Sequence, residues 1–573
     1  MSIVAICDSA RILIVFSTHW VSHQAVFRPV ILELVRRGHK VTSITAQPIF
    51  KNRKFDNFIE IDVCNVSKHV ADDLVGNKLK LAKDVVSQYE ETWKALSNNF
   101  KHQLYSDEVK KLVANGMKFD VILTELCARS NIILGYIADA PVIEVSSFGS
   151  FIDTTETIGS VTHPALYPLA FRENYGSETI LGQMSEVYKH YKVLRGYQNY
   201  EVEENEMLKR RFGNDVPPIS EIRKKYVQAT FLNVVPIWDS NRPVPPNLIY
   251  IGSLPNYVPK ELPHDLKEFL DASEHGVIYM SFGTSYPTEL LKCDTVNAIV
   301  KAFTHLPYSV VWKWDDVNMR LPEKIRLYKW VPQADLLRHP NVKLFITQAG
   351  LHSTDDAIQA GVPMLAIPLA WDQSLNAHKH RELGLGITLE PKNVSEGNLV
   401  KAIQAIIEDD RYRRNVKTVL EAMRTAPNSS LGRAVSWIEF VALHKNLTYL
   451  KTTAAVLTWR EYYELDLFIQ STSVLTKIVQ ATFGSEYVDE SKTKPSNNYR
   501  GVITALLVGG GGGSGRASAV GPLCARGCRV AVARLKFNLQ KGSRPSYVLK
   551  EHMHQLANAT YNKPGPVDME DRH

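Results

Sequence analysis

The chain opens on an apolar run, Ala10 to Phe16, with Ile12-Leu13-Ile14-Val15-Phe16 unbroken by a polar residue. A run apolar on both faces predicts a buried strand of a parallel sheet. From Phe27 to Arg37 the apolar positions change period. Phe27, Val30, Ile31, Leu34 and Val35 recur at helical spacing, and Gly38 ends the helix. Lys40 to Thr45 returns to a strand, with Ser17 to Gln24 left as a loop. Strand, helix and strand in this order predict a parallel sheet with right-handed crossovers. Phe119 to Glu125 and Pro141 to Ser146 read as two further strands.

A second alternation begins near Ile249-Tyr250-Ile251-Gly252 and continues with strands at Gly276 to Ser281, Ser309 to Lys313, Val342 to Ile346 and Met364 to Pro368. The proline-rich stretch Arg242-Pro243-Val244-Pro245-Pro246 lies just before it and reads as a linker. The expected architecture is therefore α/β, with two Rossmann-like domains whose parallel sheets face a cleft. The expected boundaries are 1–240 and 247–445 for the two domains, 446–466 for a helical segment and 467–573 for an atypical, basic, disordered tail. Ligands of such sheets sit beyond the carboxyl ends of the strands, which directs both Ser17 to Gln24 and Gln348 to Asp356 to the cleft.

Composition changes this picture little. With 573 residues, 45% hydrophobic and 22% charged, the chain has room for two cores and an ordinary globular balance. The net charge of +7 is carried by the tail, where eleven Lys and Arg face four Asp and Glu from Ser496 onward. The body is near neutral and lacks basic faces with interleaved aromatics, so no nucleic-acid partner is expected. Cys7, Cys64, Cys127, Cys293, Cys524 and Cys528 are scattered without metal-ligand spacing, and no metal is expected. The glycine run Gly509 to Gly513 has no Lys-Ser/Thr after it and reads as a linker rather than a phosphate loop. Sequons at Asn65, Asn393, Asn428, Asn446 and Asn558 would permit glycosylation in a secretory compartment. Met1 to Ala10 lacks the basic start and apolar length of a secretion signal, and no run after Leu467 approaches 18 uninterrupted apolar residues.

The densest chemistry lies between Trp330 and Gln373. It comprises Trp330-Val331-Pro332-Gln333, then Thr347-Gln348-Ala349-Gly350-Leu351-His352-Ser353-Thr354-Asp355-Asp356, then Pro368-Leu369-Ala370-Trp371-Asp372-Gln373. A buried strand that breaks into a small-residue turn and reopens as a helix presents free backbone N–H groups and a positive helix end to an anion. An aromatic for a base, a phosphate cradle, a carboxylate for ribose and an acid-amide pair for a sugar together describe a nucleotide-sugar pocket.

This segment resembles the signature of the UDP-glycosyltransferases, which move a sugar from a UDP-sugar onto small lipophilic acceptors. It is similar in particular to arthropod-type members, which often have Gln where others have His in the turn. The resemblance covers about Ala10 to Asp466 and implies a GT-B fold, an inverting transfer and UDP-sugar as co-substrate, with no cofactor. For the arthropod type it implies glucose as the donor sugar and detoxification as the role. Glucuronic acid as donor, or an impaired UDP-sugar-binding protein, are the alternatives. A dehydrogenase is disfavoured because Ser17-Thr18-His19-Trp20 follows the first strand in place of Gly-x-Gly-x-x-Gly. The family also implies the endoplasmic reticulum lumen or membrane as location, and leaves a homo-oligomer open.

Residue by residue, the resemblance makes His23 the general base, with His19 the competing candidate. An imidazole of ordinary pKa, about 6.5, is mostly neutral at physiological pH, as a base must be. Glu125 stands where the family usually has an Asp that fixes the histidine tautomer. Trp330 would stack on uracil and Gln333 would bind a ribose hydroxyl. Gln348, the Gly350 backbone, Ser353 and Thr354 would hold the diphosphate, with Ser281 and Thr284 in a nearby turn. Asp356 takes the ribose-binding Glu position, and Asp372 and Gln373 would grip sugar hydroxyls. Two departures bear on activity. Ala349 replaces a usual Gly, adding a methyl beside the phosphates and disfavouring positive φ. Asp356 shortens a usual Glu by one carbon-carbon bond, about 1.5 Å, where about 1 Å of misplacement can cost 100-fold.

Overall fold

The structure is a computed structural model. It describes residues 9–464 apart from 17, 19, 49, 51–54, 68–83, 152–157, 161–165, 168–178, 253, 255–259, 285–290, 318, 425–428, 456, 458–460 and 462–463. The tail from 467, His19, Cys7, Cys524, Cys528, Asn428 and Asn558 lie outside the described residues. Asn65, Asn393 and Asn446 are exposed. Among the described residues no helix is long and apolar enough to cross a membrane.

Residues up to Leu457 form one compact unit holding two parallel sheets. The first contains β1 (Arg11–Phe16), β2 (Lys40–Thr45), β3 (Phe58–Asp62), β4 (Val121–Glu125), β5 (Val142–Ser146), β6 (Val227–Leu232) and β7 (Leu248–Tyr250), in the order β3-β2-β1-β4-β5-β6-β7. The second contains β8 (Val277–Ser281), β9 (Ser309–Lys313), β10 (Ile325–Tyr328), β11 (Val342–Thr347), β12 (Met364–Ala366) and β13 (Gly386–Thr388), in the order β10-β9-β8-β11-β12-β13. Both sheets are doubly wound, and each reverses direction once: between β1 and β4, and between β8 and β11. Those two switch points are where such sheets bind ligands. β1, β4, β8 and β11 are almost wholly buried, as their apolar runs require.

Two expected boundaries differ from the fold. Ile249-Tyr250, read as opening the second series at 247, forms β7 at the far edge of the first sheet, where Phe231 pairs with Ile249. The proline-rich stretch is therefore part of the β6–β7 connection and not the link between lobes. The helix Ser430–His444, read as the end of a second domain at 445, packs on the first sheet instead. Its Val435, Ile438 and Val441 share a core with Val121, Val145 and Phe231. The expected loop after β1 also holds a short helix, Val21–Ala25.

A second core joins the two lobes. Leu232, Val234, Trp238 and Leu248 from the edge of the first sheet pack with Val331, Leu336, Leu351 and Met364 of the other lobe.

Candidate active site

Glu125 is the last residue of β4, at the first switch point, and is only 1% exposed. A carboxylate buried there needs donors, and the loop after β1 supplies them. The Thr18 amide donates to Oε2 at 3.3 Å and its hydroxyl to Oε1 at 3.1 Å. Gln24 fixes that loop, donating to the Thr18 carbonyl at 3.0 Å and accepting from Thr45 at 2.6 Å. From the short helix, His23 brings Nδ1 to 2.5 Å from Glu125 Oε1, leaving Nε2 free of the carboxylate. The imidazole side chain is 19% exposed, flanked by Trp20 with a centroid separation of 5.0 Å and Phe148 at 6.0 Å. Cys127 also reaches the carboxylate. Burial, and then the Glu125 charge, push its thiol well above the ordinary range. His23, Glu125 and Cys127 place ligand-type atoms within 4.8 Å of one another, a proximity that the scattered cysteine spacing does not suggest.

The donor side is built at the second switch point. Ser281 ends β8 and its hydroxyl accepts the Gly283 amide at 3.2 Å, closing a turn. A Cβ at Gly283, whose φ is +76°, would lie 2.3 Å from Gln348 Nε2, so glycine makes room for that amide. Gln348 accepts from Thr347 at 3.0 Å, and the Thr347 hydroxyl also accepts the Ala349 amide at 3.2 Å. Gly350 then starts the helix Leu351–Ala360, whose first turn carries no side-chain cap. Its leading N–H groups are the feature that suits an anion.

Ala349 adopts the left-handed backbone a glycine would favour, with φ +66°. Its methyl is buried against Ala366 and Ala377, on the core side of the turn. The expected methyl beside the phosphates is thus replaced by a core contact.

Gln333 ties three neighbours together. It accepts from the buried Tyr279 hydroxyl at 3.1 Å and donates to Asp356 Oδ2 at 2.8 Å and Ser353 Oγ at 3.3 Å. Burial pushes the Asp356 carboxyl up. Asp372 is raised by burial as well, opposed by the Asn376 hydrogen bond and the His23 charge. His352 is driven down to about 4, first by burial and then by His23, and its Nε2 is buried with no hydrogen-bond partner. Beside His23, Trp20 meets Trp371 of the other lobe edge-on with centroids 6.0 Å apart. The base candidate and the donor pocket share one cleft.

The predicted residues do not all enter that cluster. Gln333, Ser353 and Asp356 are bonded together, Gln348 lies between Gly283 and Gly350, and Asp372 accepts from Asn376 at 2.9 Å. Trp330 is 66% exposed, an uncovered flat ring, and Thr284 is exposed beside the segment 285–290. Thr354 is fully buried, and its hydroxyl meets His380 Nε2 at 3.0 Å. Gln373 is 4% exposed, and its oxygen accepts the Leu369 and Ala370 amides at 2.7 and 2.9 Å. Thr18, Cys127, Tyr279, His352 and Asn376 are the participants that sequence reading left unassigned. Asn376 alone carried a usable signal, falling one helical turn after Asp372.

A family model described as UDP-glucoronosyl and UDP-glucosyl transferase matches residues 11–491. The ecdysteroid UDP-glucosyltransferase of Lymantria dispar multicapsid nuclear polyhedrosis virus is 32% identical over 478 residues, covering 81% of this chain and 94% of the viral protein. That of Spodoptera littoralis nuclear polyhedrosis virus is 31% identical over 482 residues, covering 80% and 93%. UDP-glucosyltransferase 2 of Dactylopius coccus is 29% identical over 465 residues, covering 80% and 89%. Among solved structures, a UDP-glucose: anthocyanidin 3-O-glucosyltransferase in complex with UDP matches with a TM-score of 0.52 at 15% identity, covering 76% of this chain and 99% of the other. The glycotransferase of kitacinnamycin matches with a TM-score of 0.52 at 17% identity over the same shares. The fold is GT-B, and the chain is a UDP-glycosyltransferase belonging to the UDP-glucuronosyl and UDP-glucosyl transferase family.

Proposed function

We infer that the chain transfers glucose from UDP-glucose to a hydroxyl of a small lipophilic acceptor, with inversion at the anomeric carbon. The observation that carries this reading is the His23–Glu125 pair, bonded at 2.5 Å, with the neighbouring Trp20 meeting Trp371 of the donor lobe. With Nδ1 turned to Glu125, Nε2 takes the acceptor proton as the acceptor oxygen attacks the anomeric carbon. The bond from that carbon to the phosphate oxygen breaks, and its electron pair leaves with UDP. The amides opening the helix Leu351–Ala360 and the Gln348 turn stabilise the diphosphate charge. No metal or cofactor is needed for this step.

Two features favour glucose over glucuronic acid. A uronate carboxylate needs a cation, whereas Asp372, the group read as gripping sugar hydroxyls, is itself a carboxylate, and His352 of the same lobe is neutral near pH 7. Arg242, the nearby guanidinium, is paired with Asp239 at 3.2 Å. Several relatives are also named for UDP-glucosyl transfer, six of them viral proteins named as ecdysteroid UDP-glucosyltransferases. Ecdysteroids and simple phenols are therefore the first acceptors to try, and the endoplasmic reticulum remains the proposed location.

The test offers purified protein UDP-glucose and UDP-glucuronic acid with each acceptor and reads the product anomer by NMR. UDP-glucose should be the better donor, the product should be the β-glucoside, and His23→Ala should lower kcat by about 10²- to 10⁴-fold. Turnover by His23→Ala at the wild-type rate, or preference for the uronate, would overturn the reading.

A further inference from the structure

Asn376 lies one turn into the helix Gln373–Glu382 and is 2% exposed. Its amide makes three hydrogen bonds in three directions. Nδ2 donates to the Ala349 carbonyl at 2.9 Å and to Asp372 Oδ2 at 2.9 Å. Oδ1 accepts the indole N–H of Trp238, also at 2.9 Å. A carbonyl and a carboxylate on one side and an N–H on the other can be satisfied by only one orientation of the amide, so its direction is fixed by chemistry. Trp238 is 5% exposed and belongs to the β6–β7 connection of the opposite lobe. One turn further along the same helix, Lys379 donates to Ser240 Oγ of that connection at 3.0 Å. The acceptor lobe thus holds the donor-lobe helix at two points on one face.

We propose that Asn376 and Trp238 are positioning residues for the transferred hexose, through which the acceptor lobe sets the Asp372 carboxylate. Asp372 is otherwise a half-buried carboxylate at the head of the helix, next to Trp371, whose own φ is +54°. The Asn376 amide holds it in one rotamer before a sugar arrives, which is the preorganisation that hydroxyl recognition needs. The Ala349 carbonyl accepts from the same nitrogen at 2.9 Å and anchors the amide that directs the carboxylate. Trp238 closes the relay by holding the amide from the side of the lobe that carries His23. The inference rests on reading Asp372 as the group that binds sugar hydroxyls.

Trp238→Phe keeps a ring in the interlobe core and removes the N–H donor. Its affinity for UDP-glucose should fall about fivefold, the worth of one hydrogen bond, while affinity for UDP, which lacks the hexose, falls less than twofold. In an Asp372→Ala background the same change should add nothing, because its route to the sugar is gone. Asn376→Ala, which leaves the indole packing in place, should show the same preferential loss of UDP-glucose and serves where Trp238→Phe does not fold. If wild type binds both nucleotides and the variants weaken them equally or not at all, the proposal falls and the functional reading stands. A wild-type chain that binds neither nucleotide sinks both.

Discussion

At His380 a buried imidazole has two nitrogens to satisfy, and Thr354 Oγ1 at 3.0 Å is the partner of one of them. The hydroxyl that the family resemblance assigns to the diphosphate is therefore engaged in the core. Thr354→Val keeps the shape and removes the bond, leaving the imidazole nitrogen unsatisfied at a cost of about 1–3 kcal/mol. The denaturation midpoint should fall accordingly, with UDP affinity unchanged within about twofold, well below one hydrogen bond's worth. The opposite result, tenfold weaker UDP binding at unchanged stability, would return the hydroxyl to the phosphates. Motif order could not separate Ser353 from Thr354, because adjacent helix residues point about 100° apart and the facing side depends on tertiary packing. Ala349 carries the same lesson. Its left-handed φ is legible as a strained substitution for glycine, but the buried side of its methyl depends on Ala366 and Ala377, which come from β12 and another helix. Asp356 was legible as short, and the Gln333 bond that holds it was not, since the two are 23 residues apart.

The helix Gln373–Glu382 shows why one element escaped the reading altogether. Its sequence, Gln-Ser-Leu-Asn-Ala-His-Lys-His-Arg-Glu, has no apolar stripe, yet it buries Gln373, Asn376, Ala377, Lys379 and His380. Apolar periodicity finds helices whose buried face is hydrophobic; a polar buried face is satisfied by partners that lie far away in sequence. That composition has a pH consequence. Burial drives the His380 imidazole down to about 3, whereas in the unfolded chain it titrates near the ordinary 6.5. Between those values the unfolded chain binds a proton that the folded chain refuses, so folded-state stability is complete above about pH 6.5 and declines as pH falls toward 3. The slope is up to about 1.4 kcal/mol per pH unit for this one group. His190 and His352, both pushed to about 4 by burial, act in the same direction. Denaturant midpoints measured from pH 7 to pH 5 should drop, and His380→Gln should flatten the dependence by about one proton. An unchanged slope in that variant would mean His380 is protonated in the folded protein.

For the whole molecule, the strands were legible and their allocation was not. Each apolar run announced a strand, but nothing in Leu248–Tyr250 says which of two similar parallel sheets it will extend. The same holds for Ser430–His444. Its buried positions Ala434, Val435, Ile438, Val441 and Ala442 fall at helical spacing, while their partners are more than 180 residues earlier in the chain. Charge fixes the same register: Glu439 meets Arg37 at 2.9 Å and the buried His39 at 3.1 Å, and Arg433 donates to the Tyr250 carbonyl at 2.9 Å. A chain that ends its second lobe by returning to the first, and that shares the Trp238 core between lobes, should unfold as one body. Ile438→Ala tests this far from any nucleotide contact. Removing three methyl-sized groups from a fully buried site should cost about 2–5 kcal/mol. Under native conditions UDP affinity should be unchanged. In denaturant, loss of UDP binding and loss of secondary structure should shift together to a lower midpoint. If the variant still binds UDP at concentrations where its helical signal has partly melted, the lobes are independent folding units and the returning helix stabilises only the first.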